Sequence, residues 1–465
     1  MNRTTTTLFL LGGGGDLSSR LLLPALGQLL TAQPDRQVRL IGVGVETMTD
    51  AAWRETVSSS FATVQASGSA VDALLGETVF RTADVTDPAA LTELLSETGG
   101  TPAFYFALPP AVTMKACAAL GQVDLPDATV LALEKPFGTD GNSAAALNSQ
   151  LAKLVPENQI HRVDHFLGRS TVFNVLGLRF SNRIFEPLWN SEHIERVDIV
   201  YDEQLGLEGR AGYYDKAGAL VDMIQSHLLQ VMAIVAMEPP STLDAADLRD
   251  GKGLVLRATR PWANDPSASS RRARYTAGAV DGRDYPAYVD EGGVDPARDT
   301  ETLAEVTLEV DNWRWAGVPF TLRSGKALGE RRREIIVTFK PAKWVPTGFS
   351  GGAHPTVLRL FLAPDQMSLS LNVNGPGDPH ELDRVVFEAE FSPGQFNAYG
   401  EVLEGILDND PSLSVRGDTA EQCWRIVEPV LAAWKSGAVP MNEYAAGSAG
   451  PASWDPIGVD DRRFA

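Results

Sequence analysis

The chain has 465 residues, 44 % hydrophobic and 22 % charged, with a formal net charge of −20. That is too long for one ordinary core, too apolar for a disordered chain, and sized for two domains. The negative charge excludes nucleic acid and anionic lipid as partners unless a local basic face exists, and the longest basic run, residues 331–333, is short and flanked by Glu330 and Glu334.

Two cysteines, Cys117 and Cys423, are too few and too far apart for a disulfide framework or a metal-ligand spacing, so no metal is expected and a reducing, cytoplasmic setting is. The opening apolar run is too short for a signal peptide. No apolar stretch of about 18 residues stands out as a membrane span.

In chain order, residues 7–12 form a short apolar run that ends in Gly12, Gly13, Gly14 and Gly15, and leucines then recur at helical spacing from Asp16 and Leu17 onward. Strand, glycine turn, helix is the expected reading. Glycines let the backbone turn tightly and approach a ligand, and the amides at a helix start attract phosphate, so residues 12–15 are candidate pyrophosphate contacts. Further strands are expected at 38–45, 103–110, 129–138 and 159–164, with a helix at 50–61. Apolar runs separated by helices predict a doubly wound parallel sheet, a Rossmann-like dinucleotide-binding domain, here residues 1–168. Ligands lie beyond the carboxyl ends of such strands. Those ends carry the glycine turn, Val45 and Glu46, Pro109 and Pro110, Lys135 beside Glu134, and Asp164 with His165.

From residue 169 to 465 a larger α+β domain is expected. Alternating strands start near residues 196, 304, 319, 334, 357, 367 and 384, which predicts an antiparallel sheet covered by helices. A long apolar helix spans 216–237, and two more are expected near 396–407 and 418–435. Segments 263–275 and 341–355 read as surface loops.

Candidate chemistry sits on few residues. His227 lies in the apolar helix with Asp222 five residues before it. At regular helical pitch that places the two about 140° apart, flanking a ligand rather than stacked. A buried histidine is usually a hydrogen-bonded core residue, but two such polar groups on an apolar helix each need a partner. Strand alternation puts His161, Val163 and His165 on one side and Arg162 and Asp164 on the other. Read chemically, Asp164 bonds one nitrogen of His227 and leaves the other as a base, while His165 and Arg169 grip a phosphate dianion. Structural salt bridges are the competing reading for Arg162 and Arg169. Lys135 and Lys326 each end an apolar strand beside a proline or glycine.

At these residues the chain resembles the glucose-6-phosphate dehydrogenase family. Gly12 with Gly15, Asp16 and Leu17 match its glycine turn, and residues 109–110, 134–138, 162–169, 178–190, 211–230, 315–328 and 447–451 match further motifs in order. The resemblance implies an oxidoreductase that passes the C1 hydride of glucose 6-phosphate to NADP or NAD and yields a lactone. By position it implies His227 as the base, Asp164 as its carboxylate, His165 and Arg169 at the phosphate, and Lys135, Glu203, Asp222 and Lys326 at the sugar. It also implies a homodimer or homotetramer built through the large sheet. Phe166, Arg169 and Leu21 depart from the family's tyrosine, lysine and lysine. Val45 and Glu46 stand where an NADP-binding arginine is common, so NAD is expected to serve at least as well. Oxidation of another anionic sugar, or a noncatalytic sugar-phosphate or dinucleotide sensor, are the alternatives.

Overall fold

Apolar segments in the first part of the chain form six parallel strands: β1 (Thr6–Leu11), β2 (Val38–Gly44), β3 (Val79–Thr82), β4 (Thr101–Phe106), β5 (Val130–Leu133) and β6 (Ile160–Val163). The computed structural model describes residues 5–168, 170–209, 211–351, 354–375, 377–391 and 394–458. The six strands lie in the order 6-5-4-1-2-3, and the short strand Ser414–Val415 adds antiparallel to β6. Alternate residues point to opposite faces, and helices cover both. Leu8, Leu10 and Tyr105 pack on one side, while Phe9, Leu11 and Phe104 pack on the other, with Phe9 and Phe104 stacked at 4.8 Å. Burial on two faces is why these strands read as unbroken apolar runs.

Two compact units divide the chain: Met1–Arg169, Pro240–Asp250 and Gly394–Gln422 form the first, and Ser170–Pro239, Gly251–Pro393 and Cys423–Ala465 the second. Two segments from the later half thus belong to the first unit. One carries the helix Ala398–Asp408, whose Val402, Leu403 and Ile406 join the core beside Leu8 and Leu10.

The second unit is built on strands β7 (Ile194–Asp202), β8 (Thr259–Pro261), β9 (Ser270–Thr276), β10 (Gly278–Val280), β11 (Arg283–Tyr285), β12 (Leu303–Val310), β13 (Phe320–Gly325), β14 (Arg332–Phe339), β15 (Val357–Leu362), β16 (Asp365–Asn374) and β17 (Leu382–Glu390). Counting Ser414–Val415 as β18, β19 (Met441–Ala445) completes the set. The large sheet runs 17-16-15-14-7-13-12-9-19, with β8 on β12 and a separate hairpin of β10 and β11.

Four expectations are corrected here. Residues 270–276 form β9, with Ala273 and Tyr275 in the core, rather than a loop. The sheet is mixed, because β13 pairs parallel with β7 and β19 parallel with β9. The long apolar helix is interrupted: Gly218 takes φ 68° and ψ 174°, and Leu220–Leu228 continues as a wide helix. By length and composition Ala211–Ala236 is a helical stretch able to cross a membrane, contrary to the sequence reading, but most of it is buried, as a core helix is.

Candidate functional site

At the end of β1 the chain must reverse into a helix, and Gly12 does this at φ +88°, where a Cβ would stand 2.3 Å from the Ala107 carbonyl oxygen. Only glycine fits such a position. The amides of Gly12 and Gly13 donate to Val43 O at 2.8 and 3.0 Å, and that of Gly15 donates to Gly12 O at 3.0 Å. These three amides are engaged within the fold, so what the glycines supply is close approach. The helix beginning at Asp16 and Leu17 supplies first-turn amides of its own. Glu46, just past β2, reaches back to this turn, for a methyl group on Gly14 would lie 2.1 Å from its Oε1. Pro109 precedes the helix Pro110–Leu120 after β4, and Lys135 follows β5. The cradle therefore fits a dinucleotide: a bare backbone surface, helix-start amides and one acidic side chain at the carboxyl edge of a parallel sheet.

Beside Lys135, Glu134 accepts a hydrogen bond from the Tyr105 hydroxyl. Burial pushes the Glu134 carboxyl up to about 7, while Tyr105 and the Lys135 charge pull it down and Asp164 adds repulsion. Sequence reasoning placed Glu134 in a motif without giving it a role.

The turn after β6 differs from the expected alternation. β6 ends at Val163. Asp164, 1 % exposed, then accepts the Phe166 amide on Oδ1 at 2.9 Å and the Leu167 amide on its carbonyl at 3.0 Å. His165 stacks on Tyr399 with ring centroids 5.3 Å apart, a contact between residues too distant in sequence to foresee. His161 and Arg162 are buried structural residues. Arg162 donates to Glu157 at 2.7 Å and Asn148 at 3.0 Å, and His161 lies between Ser414 and Asn409. Arg169 lies outside the described residues. Phe166 is buried, and Leu21 is exposed.

In the second unit the Leu229 amide reaches the Ile224 carbonyl and the Ser226 hydroxyl donates to the Val221 carbonyl, each five residues back. A helix bonded i to i+5 brings residues five apart onto nearly the same face. Asp222 and His227 are thus one wide turn apart rather than splayed by 140°, which corrects the regular-pitch expectation. His227 is 1 % exposed, and Asp222 accepts the Tyr213 hydroxyl at 3.3 Å. Wide turns of this kind recur at functional sites. Lys326, just past β13, donates to Glu203 Oε2 at 2.7 Å and sits 5.2 Å from the Tyr214 ring centroid. Arg333 donates to the other Glu203 oxygen at 3.3 Å. Within this unit the structure joins Glu203 to Lys326, and it adds Arg333, which the sequence showed only as part of a basic run.

A parallel sheet whose carboxyl edge exposes bare backbone beside a helix start is suited to a dinucleotide, and the second unit by itself holds a buried imidazole and a lysine–carboxylate pair. By class this is an NAD(P)-dependent oxidoreductase. The chain belongs to the glucose-6-phosphate dehydrogenase family: residues 9–174 match the glucose-6-phosphate dehydrogenase NAD binding domain and residues 176–463 its C-terminal domain.

It is 38 % identical to the glucose-6-phosphate 1-dehydrogenase of Zymomonas mobilis over 97 % of both chains. Against the enzyme of that name from Bacillus subtilis it is 34 % identical over 98 % of this chain and 96 % of the other. Among solved structures, glucose-6-phosphate 1-dehydrogenase from Mycobacterium avium superposes with a TM-score of 0.84 at 32 % identity, covering 97 % of this chain and 95 % of that one. A glucose-6-phosphate dehydrogenase in complex with its substrate glucose 6-phosphate gives 0.87 at 27 %, covering 97 % of each.

Proposed function

We propose that the protein oxidises the C1 hydroxyl of glucose 6-phosphate to 6-phosphogluconolactone. The bound dinucleotide, NAD or NADP, supplies the hydride acceptor. His227 takes the proton from the C1 hydroxyl, and Asp164 holds the imidazole in the tautomer that leaves one nitrogen free for it. His165 and Arg169 bind the phosphate. Asp222, Lys135, Glu203 and Lys326 hold the sugar, and Lys135 also borders the cofactor. Gly12, Gly13, Gly14, Gly15, Asp16, Leu17, Glu46 and Pro109 line the dinucleotide cradle.

The observation that carries the reading is the wide helical turn that presents Asp222 and His227 from one face, in the unit that also holds the Glu203–Lys326 pair. Support for the rest comes from the family match over both halves of the chain. We further infer a cytoplasmic enzyme, consistent with Cys117 and Cys423 being buried thiols outside any disulfide, that takes a small anionic sugar and neither nucleic acid nor membrane as partner. Assembly into a dimer or tetramer through the large sheet accords with Val386 and Phe387, which lie exposed on β17 at the sheet's end.

The test is nicotinamide reduction over a panel of glucose, glucose 6-phosphate and other phosphosugars, run with the natural chain and with His227→Asn. Glucose 6-phosphate should give the highest kcat/KM, and His227→Asn should lower kcat by about a hundred- to ten-thousand-fold while the sugar still binds. A different preferred sugar would reassign the substrate. Binding without any reduction would make the protein a sensor, and a fully active His227→Asn would remove that histidine from the chemistry.

A further inference from the structure

Glu301 lies just ahead of β12 and is 6 % exposed. Its Oε1 accepts the Leu220 amide at 2.9 Å, and its backbone carbonyl accepts the Ala219 amide at 3.4 Å. Those amides open the wide helical segment that follows the break at Gly218. The break makes room for the carboxylate: Gly218 has φ +68°, and a Cβ there would stand 2.3 Å from Glu301 Oε1. An acceptor oxygen at a helix start satisfies an otherwise orphaned donor.

The next residue reaches the other side of the candidate site. Thr302 O accepts the Lys326 amide at 2.9 Å. The Tyr275 amide donates to Thr302 Oγ1 at 3.0 Å, that hydroxyl lies 2.8 Å from the Tyr444 hydroxyl, and Tyr444 donates to the Lys326 carbonyl at 2.7 Å. Two consecutive residues therefore hold the beginning of the segment that carries Asp222 and His227 and the amide of Lys326, whose carbonyl Thr302 reaches only through Tyr444.

We propose that Glu301 is a positioning residue, whose carboxylate caps the helical segment bearing Asp222 and His227 and, with Thr302, sets that segment's register against Lys326. It touches no reactant on this account and acts through His227 and Asp222. Burial pushes the Glu301 carboxyl up to about 7, with the Leu220 amide opposing the rise. A carboxyl group kept there against its desolvation serves a local need that packing alone does not supply.

The proposal rests on His227 acting as the base, and two near-isosteric changes separate it from that reading. Glu301→Gln keeps the length and an oxygen that accepts the Leu220 amide. Glu301→Asp keeps the acid but withdraws it from the amide. In the glucose 6-phosphate assay, Glu301→Asp should lower kcat by about ten- to a hundredfold and raise the sugar-phosphate KM, with the dinucleotide KM unchanged, whereas Glu301→Gln should stay within about threefold of the natural chain. Matching circular dichroism and thermal midpoints would show that both variants fold. The proposal is overturned if Glu301→Asp is fully active, or if Glu301→Gln falls as far as Glu301→Asp, since the charge and not the cap would then matter. His227→Asn in the same series reports on the base independently: if it is active, the assignment of the base has failed, whatever the Glu301 variants do.

Discussion

His161 shows how burial changes the meaning of a residue that the sequence made conspicuous. It is 1 % exposed, and its ring nitrogens lie 3.2 Å from Ser414 Oγ and 3.4 Å from Asn409 Oδ1. Burial lowers its pKa from 6.5 to about 4, with the Asn409 contact opposing. The unfolded chain therefore binds a proton at this residue below pH 6.5, and the folded chain only below about 4. Its contribution to stability is complete above pH 6.5 and is lost as the pH falls through 4. The urea midpoint of the natural chain should drop across that window more steeply than that of His161→Gln, and parallel curves would show that the ring does not titrate as described. The alternation that placed His161 and His165 on one side stopped at Val163 because the Asp164 carboxylate bends the chain, a local competition invisible to a period-2 pattern.

Glu46 was legible as an acid at the end of a strand, but its reach over Gly14 was not. Val45 beside it is 76 % exposed, free of any packing duty. A carboxylate at this edge bonds ribose hydroxyls and repels a 2′-phosphate. The kcat/KM for NAD should accordingly equal or exceed that for NADP. Replacing Val45→Arg together with Glu46→Ser should move the ratio toward NADP by about tenfold or more. A strong NADP preference in the natural chain would show that the Glu46 carboxylate does not govern the choice.

At the scale of elements, the glycine turn was readable from composition, and the structure shows which of its four glycines is irreplaceable. Gly12 is held at positive φ against a backbone oxygen, an atom that cannot swing aside as a side chain would. Gly12→Ala should destabilise the first unit by about 1–3 kcal/mol. It should also raise the dinucleotide KM while leaving kcat at saturation little changed; an unaltered KM together with an unaltered thermal midpoint would mean that the turn relaxes. Elements whose partners are distant were harder to see. β9 has the serine and arginine content of a loop, and becomes a strand because β12 on one side and β19 on the other complete its ladder. The parallel pairing of β13 with β7 is likewise a matter of topology, which alternation does not encode. The apolar helix was visible, but its break was not, because the conformation of Gly218 follows from Glu301, some eighty residues on.

Taken whole, the two halves of the chain were legible as a parallel sheet followed by a larger sheet with helices, since apolar runs and alternating runs differ in kind. The path between the units was not. Nothing in the composition of Pro240–Asp250 or Gly394–Gln422 marks them as returning to the first unit. Ile406 looks like any helical core residue until it is found beside Leu8 and Leu10.

The return of the helix Ala398–Asp408 and the strand Ser414–Val415 has a consequence for modularity. A fragment cut after residue 168 would leave the flank of β6 unpaired and strip Val402, Leu403 and Ile406 from the core beside Leu8 and Leu10, so the nucleotide half is not a cassette that recombination can lift out and fuse elsewhere. Its partner half is equally indivisible, being three pieces of chain with no shared uninterrupted stretch. Inheritance and engineering alike must treat the sequence as a single braid.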